Sequence, residues 1–149
     1  MDFELFNTYS NKTELFIPLD DNDIRIYACG PTVYDYIHVG NARPLIIFDV
    51  LVRFLKLIYP KVTYVRNITD VDDKIIVQAN QNKESINNLT ERTIKAFSDD
   101  ADALFVKKPD FEPRATEHIQ EMLKMIKVLL ESGNACLLYT SPSPRDTLL

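Results

Sequence analysis

The sequence has few residues of several types, and its few cysteines and the lack of long apolar runs argue against two classes of protein. Its 149 residues include three glycines, two cysteines, two histidines and no tryptophan. Two cysteines far apart in the chain do not suggest a disulfide framework, and they favour a reducing compartment. No run approaches the roughly 18 apolar residues that a membrane-spanning helix needs, and no apolar signal segment follows Met1. We therefore expect a cytoplasmic protein with no membrane contact.

Basic residues are fewer than acidic ones, which limits the partners of the chain. Lys and Arg number 17 against 22 Asp and Glu, so the formal net charge is -5. A contact with nucleic acid would therefore need a local basic patch. A hydrophobic share of 46% and a charged share of 26% are typical of a soluble globular protein. We expect one domain, or a piece of one.

The first half of the chain has the pattern of a strand, a helix and a second strand. Ile24–Ala28 (IRIYA) is β-branched and aromatic, and a turn-forming segment follows it. The spacing of apolar residues then predicts a helix with Asn41 as its N-cap and Pro44 in its first turn. The positions that give this spacing are Leu45, Phe48, Leu51, Val52, Leu55 and Ile58. Residues 62–68 (VTYVRNI) predict the second strand, parallel to the first in one sheet.

The second half of the chain is predicted to be helical. Carboxylates at 70–73 precede a helix that includes Lys74, and a longer helix is expected over about 85–105. A last helix is predicted to start at Pro113 and to stop at Gly133. Three aromatic residues have the spacing of core positions, namely Tyr27, Phe48 and Tyr64.

These elements predict an organisation in three parts. Residues 1–83 form the first half of an α/β domain, and residues 84–135 form a helical region. Residues 136–149 (CLLYTSPSPRDTLL) break the pattern, because their alternating serines and prolines suit neither a helix nor a central strand. We interpret this tail as unrelated appended sequence.

The junction between the first strand and its helix is the strongest candidate site. The window 29–44 (CGPTVYDYIHVGNARP) holds two of the three glycines, one of the two cysteines and one of the two histidines. Ligands of open α/β sheets bind at the carboxyl ends of strands, beside helix N-termini. His38, Gly40 and Asn41 together would suit a polyphosphate, and Gly30 allows a conformation or close approach that a Cβ would forbid. The alternative, a capped helix with a surface histidine, stays open.

The residues of the window point to a family. Residues 38–41 (HVGN) resemble the HIGH signature of class I aminoacyl-tRNA synthetases, and the whole window is similar to the cysteinyl-tRNA synthetase family. Further similar blocks follow that family's order: LFNT at 5–8, YVRNITDVDDKI at 64–75 and KPDFEPRATEHI at 108–119. The resemblance spans about residues 3–135. It implies a Rossmann-like nucleotide-binding half with a parallel βαβ unit, followed by helices of an inserted region, as an incomplete domain.

The resemblance also implies an activity and an ATP site. The family activates L-cysteine with ATP to cysteinyl-adenylate and transfers the cysteinyl group to tRNA(Cys). The resemblance implies catalytic roles for His38 and Asn41, with Mg²⁺ bound to the phosphates. It also implies an ATP site formed by Thr32, His38, Gly40 and Asn41. Asn41 stands where the signature has its second histidine, and it can donate a hydrogen bond but carries no charge. We expect a monomer.

The cysteine subsite is implied at the ends of the two strands. Cys29 matches the family's first zinc ligand, while Gly30 and Thr69 match positions that line the substrate pocket. The family's other zinc ligands lie beyond this sequence, and His118 and Cys136 are not plausible replacements. Without the resemblance, Cys29 would be interpreted as a small buried hydrophobe. Thr69 would equally suit the cap of the following helix.

Charged residues near the second strand have two interpretations each. Asp70, Asp72 and Asp73 could bind magnesium, but a solvated first turn that complements the helix dipole is the favoured interpretation. Arg66 and Lys74 could contact phosphate or could pair with those acids.

Two other functions fit parts of the pattern. The related enzyme of mycothiol-type thiol-cofactor biosynthesis joins cysteine to an amino-sugar inositol and uses no tRNA. The chain could also be a non-catalytic nucleotide-binding remnant, because it lacks the family's second signature loop, KMSKS. For the same reason we expect the 149-residue chain alone to be inactive.

Overall fold

A computed structural model describes residues 3–137 of the chain. Its elements follow in the order β1 (Glu4–Asn7), β2 (Lys12–Leu15), β3 (Ile24–Ala28), α1 (Val39–Ile58), β4 (Val62–Arg66), α2 (Asp73–Asn82), α3 (Ile86–Ala103), a 3-10 turn (Ala115–His118) and α4 (Ile119–Glu131). The chain divides into two compact units, Met1–Thr116 and Glu117–Leu149. No helix among the described residues is long and apolar enough to cross a membrane.

The predicted βαβ unit is confirmed. β3 and β4 pair in parallel, with Ile24 opposite Val62 and Ala28 opposite Arg66. Buried Leu55 of α1 packs with the first of these pairs, and the ring of Tyr64 is buried beside Ala28. The fold is therefore the α/β arrangement that the sequence predicts, a Rossmann-like strand–helix–strand unit followed by helices.

The start of α1 differs from the prediction. The N-cap is His38 and not Asn41, so the helix begins at Val39 and Pro44 lies in its second turn. There the proline cannot donate to the carbonyl of Gly40. The first turn is formed before the proline, where the N–H groups of Asn41 and Ala42 both donate to the carbonyl of His38, at 2.8 and 3.1 Å.

An N-terminal hairpin was absent from the sequence prediction. β1 and β2 pair antiparallel, from Glu4 opposite Leu15 to Asn7 opposite Lys12. Most of their side chains are exposed, so no alternation of apolar residues marks the strands. Phe3 anchors this end of the chain, since its ring stacks on Phe16 at 4.9 Å between centroids and meets Phe54 edge-on at 5.0 Å.

The helices α2 and α3 extend the core beyond the sheet. Both occur where the sequence predicts them, capped by Asp72 and Ser85. One cluster of buried side chains joins them to the loop after β3, to α1 and to the end of β4: Val33, Leu45, Ile68, Ile75, Ala79, Leu89, Phe97, Ala101 and Val106. This cluster fixes the ends of β3 and β4 relative to the helices.

Two predictions about residue placement are wrong. The last helix starts at Ile119 and not at Pro113, because the segment around Pro113 runs beside β4 and its carbonyl accepts from the N–H of Ile68 at 2.9 Å. Tyr27 is 66% exposed and not in the core, since it alternates with the buried residues of β3. Gly133 ends the last helix region with φ +73°, as predicted.

The three-part organisation stays a prediction. Of the tail 136–149, Cys136 and Leu137 are exposed, and residues 138–149 lie outside the described residues.

Candidate functional site

The N-terminus of α1 is built by reciprocal hydrogen bonds between side chains and backbone. The N–H of Gly40 donates to Nδ1 of His38 at 3.0 Å. The N–H of His38 donates to Oδ1 of Asn41 at 3.1 Å, which closes a capping box. Because Nδ1 accepts a hydrogen bond, the proton of the neutral imidazole lies on Nε2. The free end of His38 is therefore a donor.

Gly40 is required by the histidine itself. A Cβ built at Gly40 would lie 2.7 Å from Cε1 and 2.9 Å from Nδ1 of His38. Such contacts are too short, so a side chain here would push the imidazole away. The glycine thus holds the ring against the first turn of the helix.

A cleft of about 180 Å³ lies in front of this helix terminus. Its lining includes three of the residues assigned to ATP, namely Thr32, His38 and Asn41, together with Tyr34 and Lys74. The ammonium group of Lys74 lies 5.5 Å from the centre of the Tyr34 ring, a cation–π contact. The cleft therefore offers neutral donors at the start of α1, one cation from α2 and one carboxylate, Asp35.

The strand ends next to the cleft are joined through Asn67. Its Oδ1 accepts from the N–H of Gly30 at 2.9 Å, and its Nδ2 donates to Oγ1 of Thr69 at 3.1 Å. Main-chain bonds from Thr69 to Pro31 and from Val33 to Thr69, both 3.1 Å, continue the pairing. The structure thus brings Gly30 and Thr69 together, through a residue that the sequence analysis did not single out. The sequence did contain a signal for this link, because Asn67 directly follows β4 and precedes Thr69 by two positions.

Gly30 has no room for a side chain. A Cβ built at this position would lie 1.5 Å from the carbonyl oxygen of Asn67. The absence of a side chain therefore permits close pairing of the two strand ends.

Cys29 lies at the end of β3 but does not line the cleft described above. Its thiol is exposed and lies 3.5 Å from the carbonyl oxygen of Gly30. Zinc requires at least three protein ligands, and no group of three His, Cys, Asp or Glu side chains within residues 3–137 could hold a metal. The described part of the chain therefore does not form a zinc site by itself, and Cys29 could supply one ligand of such a site.

The charged residues of the second strand have structural partners. Asp70 is buried and accepts from the N–H and hydroxyl of Thr116, at 2.9 and 2.5 Å, so the prediction of a solvated carboxylate is wrong at this position. Asp72 caps α2 by accepting from the N–H of Lys74 at 2.9 Å, which excludes Thr69 as the cap. Arg66 pairs with a different acid from those expected, Glu112, with Nη2 at 2.5 Å from its carboxylate.

Comparison with known proteins identifies the relatives of the chain. Residues 15–143 match the family model described as tRNA synthetases class I (C) catalytic domain. Cysteine–tRNA ligases from Ehrlichia ruminantium and Gluconobacter oxydans are each 53% identical to it over 131 residues, which is 88% of this chain and 29% of theirs. The enzyme of the same name from Azorhizobium caulinodans is 54% identical over 137 residues, or 91% of this chain and 30% of its own length. The chain spans about three tenths of these relatives, and it belongs to the family of class I tRNA synthetase catalytic domains formed by the cysteinyl-tRNA synthetases.

Proposed function

We propose that this chain is the ATP-binding part of a cysteine–tRNA ligase, which activates L-cysteine with ATP and transfers the cysteinyl group to tRNA(Cys). The observation that carries this proposal is the cleft at the start of α1, where Thr32, His38 and Asn41 meet in a chain of this family. The chain spans 29% of such a relative, so we expect the remaining part of the enzyme to be needed for activity.

The chemistry asks the protein to hold charge and to align the reactants. A carboxylate oxygen of cysteine bonds to the α-phosphorus of ATP, and the bond to the leaving pyrophosphate breaks. Nε2–H of His38 donates to a phosphate oxygen, and the Asn41 amide supplies further donors, since its oxygen is already occupied. Gly40 acts by holding the imidazole in place. Mg²⁺ would arrive on the phosphates, because it is usually bound through substrate oxygens and waters.

The cysteine end of the site is formed by Gly30, Thr69 and Cys29. Gly30 and Thr69 lie together at the ends of β3 and β4, directly beyond the cleft. The family implies zinc, for which Cys29 would be one ligand. When bound, zinc would favour a thiolate over a hydroxyl oxygen, because sulfur is the softer ligand. A monomeric enzyme in the cytoplasm stays a prediction.

A chimera tests the proposal. The aligned residues of this chain replace the matching 131 residues of the Ehrlichia ruminantium relative, and cysteine-dependent exchange of pyrophosphate into ATP is measured. We expect exchange and also cysteinylation of tRNA(Cys). Exchange without transfer to tRNA would instead favour the thiol-cofactor enzyme. Absence of exchange, in a chimera that folds like the relative, would contradict the proposal.

His38 provides the sharper test within this chimera. His38→Ala should lower kcat/KM of exchange by about 100-fold, equivalent to about 3 kcal/mol of transition-state stabilisation. His38→Asn is the matched control, because asparagine keeps a side-chain acceptor for the N–H of Gly40 and so preserves the helix cap. If both variants lose activity alike, the imidazole donor is responsible. If His38→Asn retains activity, the cap together with a neutral amide donor suffices, and the imidazole itself is not required.

A further inference from the structure

The side chain of Asn67 has two hydrogen bonds at the ends of β3 and β4, and it lies beside a residue of the proposed cysteine subsite. We infer that Asn67 is a positioning residue that turns the hydroxyl proton of Thr69 toward the bound amino acid. This inference rests on the proposed function, since it concerns the substrate of the same site.

The orientation of the Asn67 amide is fixed by a backbone group. The N–H of Gly30 can only donate, and it lies 2.9 Å from one end of the amide, which must therefore be the oxygen. The other end is then the NH₂ group, and it lies 3.1 Å from Oγ1 of Thr69. Because an amide nitrogen only donates, the Thr69 oxygen is the acceptor in this contact.

This bond decides what the Thr69 hydroxyl can do. A hydroxyl has one proton and two lone pairs. One lone pair is occupied by Asn67, so the proton points elsewhere and is available to a ligand.

The main chain of Thr69 cannot change this arrangement easily. Its N–H donates to the carbonyl of Pro31 and its carbonyl accepts from the N–H of Val33, both at 3.1 Å. The residue is also paired with Thr32 across the strand ends. With the backbone fixed on both sides, the χ1 rotamer and the hydroxyl torsion of Thr69 are the remaining freedoms, and the bond from Asn67 restricts both.

The consequence is a chemical preference for acceptor atoms. A bound amino acid presents an ammonium group that only donates, and a carboxylate that only accepts. A hydroxyl preset as a donor therefore favours a contact with an acceptor atom of cysteine, while its second lone pair can still accept from the ammonium group. Presetting it also lowers the cost of ordering the site on binding.

Asn67→Asp tests the role with little change to the fold. The aspartate keeps an oxygen for the N–H of Gly30 but has no N–H to donate to Thr69. The hydroxyl then turns its proton to the new carboxylate and away from the ligand. In the chimera we expect the KM for cysteine to rise about tenfold, which is about 1.4 kcal/mol, while the KM for ATP stays within about twofold.

A double-mutant cycle separates positioning from general disturbance. In a Thr69→Val background there is no hydroxyl to orient, so the effect of Asn67→Asp on the cysteine KM should shrink at least about fivefold. Any repulsion from the new charge acts in both backgrounds and cancels in this comparison. Asn67→Ala, passed through the same cycle, provides a second variant that adds no charge.

The outcomes are distinguishable. A wild-type chimera without cysteine-dependent exchange would overturn the proposed function and this inference with it. An active chimera in which the Asn67 variants have equal effects with threonine or valine at position 69 would overturn this inference alone. A KM for ATP that rises together with the KM for cysteine would likewise overturn the inference and leave the proposed function standing.

Discussion

Gly30→Ala should destabilise the chain far more than an alanine normally does, because the new methyl group would meet backbone. The built Cβ lies 1.5 Å from the carbonyl oxygen and 2.7 Å from the carbonyl carbon of Asn67. A non-bonded carbon and oxygen need roughly twice the shorter separation. The ends of β3 and β4 would have to move apart by more than about 1 Å.

The cost follows from the hydrogen bonds that this movement breaks. Three bonds lie within a few residues of the clash: Gly30 N–H to Asn67 Oδ1, Thr69 N–H to Pro31 O, and Val33 N–H to Thr69 O. At about 1 kcal/mol each they sum to about 3 kcal/mol, and strain from overpacking adds about 1 kcal/mol or more. The free energy of unfolding should therefore fall by about 4 kcal/mol, a large part of the roughly 5–15 kcal/mol of an ordinary domain.

Urea unfolding of the 149-residue chain, followed by its helical circular dichroism, measures this loss. With a slope of about 2 kcal/mol per molar, the midpoint should fall by about 2 M. Gly40→Ala is the matched control. Its Cβ would meet only the movable imidazole of His38. The lost cap and the higher helix propensity of alanine, each worth about 1 kcal/mol, oppose each other, so its midpoint should change little. If Gly30→Ala shifts the midpoint no more than Gly40→Ala does, the close pairing at Gly30 is refuted.

Two further predictions concern buried groups of β4, and both use the same unfolding assay. Glu112→Gln removes the carboxylate that pairs with Arg66, whose side chain is only 4% exposed. Because the carboxylate itself is 36% exposed, the loss should be about 2 kcal/mol, less than for a fully buried pair. A loss below about 1 kcal/mol would show that the Phe97 ring, 4.9 Å from the guanidinium, suffices to hold that charge. Burial raises the pKa of Tyr64 above its ordinary value of 10.0, so the folded state favours the neutral phenol. This contribution is complete below pH 10 and is lost as pH rises through the folded pKa. Tyr64→Phe should therefore flatten the alkaline loss of stability, and an unchanged pH dependence would contradict this reasoning.

Sequence patterns predicted the helices and strands that are determined by neighbouring residues in the chain. The apolar spacing of α1 and the β-branched runs of β3 and β4 are strong signals, and the structure contains all three elements, although α1 starts earlier and β4 ends two residues earlier than predicted. The start of α1 was misplaced because asparagine is the commoner N-cap, whereas here the imidazole of His38 accepts the Gly40 N–H and Asn41 completes the box from the third helical position. Propensity alone does not show which of two capping residues takes which role.

Elements that depend on distant partners could not be predicted from the sequence in the same way. Pro113 suits a first helical position, yet its backbone is held in an extended strand-like path by Ile68, which lies 45 positions earlier in the chain. Asp70 was predicted to be a solvated carboxylate in the first turn of a helix, but it is buried and accepts hydrogen bonds from the hydroxyl and the N–H of Thr116. Of the cleft residues, His38 and Asn41 were predicted from the strand–helix junction, and the family resemblance added Thr32. The link between Gly30 and Thr69 through Asn67 depends on how the two strand ends pair, which the sequence does not specify.

The three hydrogen-bond arrangements at the site follow one rule. In His38, Asn41 and Asn67 the acceptor atom is occupied by a backbone N–H, so the part left for a ligand can only donate. Anions can therefore be bound by neutral donors held in fixed directions, and a strongly positive surface is not needed. The proposed ATP site is therefore compatible with a net charge of -5, and Lys74 and Asp35 place one charge of each sign in the cleft lining. On the proposed function, Asn41 would serve in place of the second histidine of the signature if the position requires a donor and not a cation.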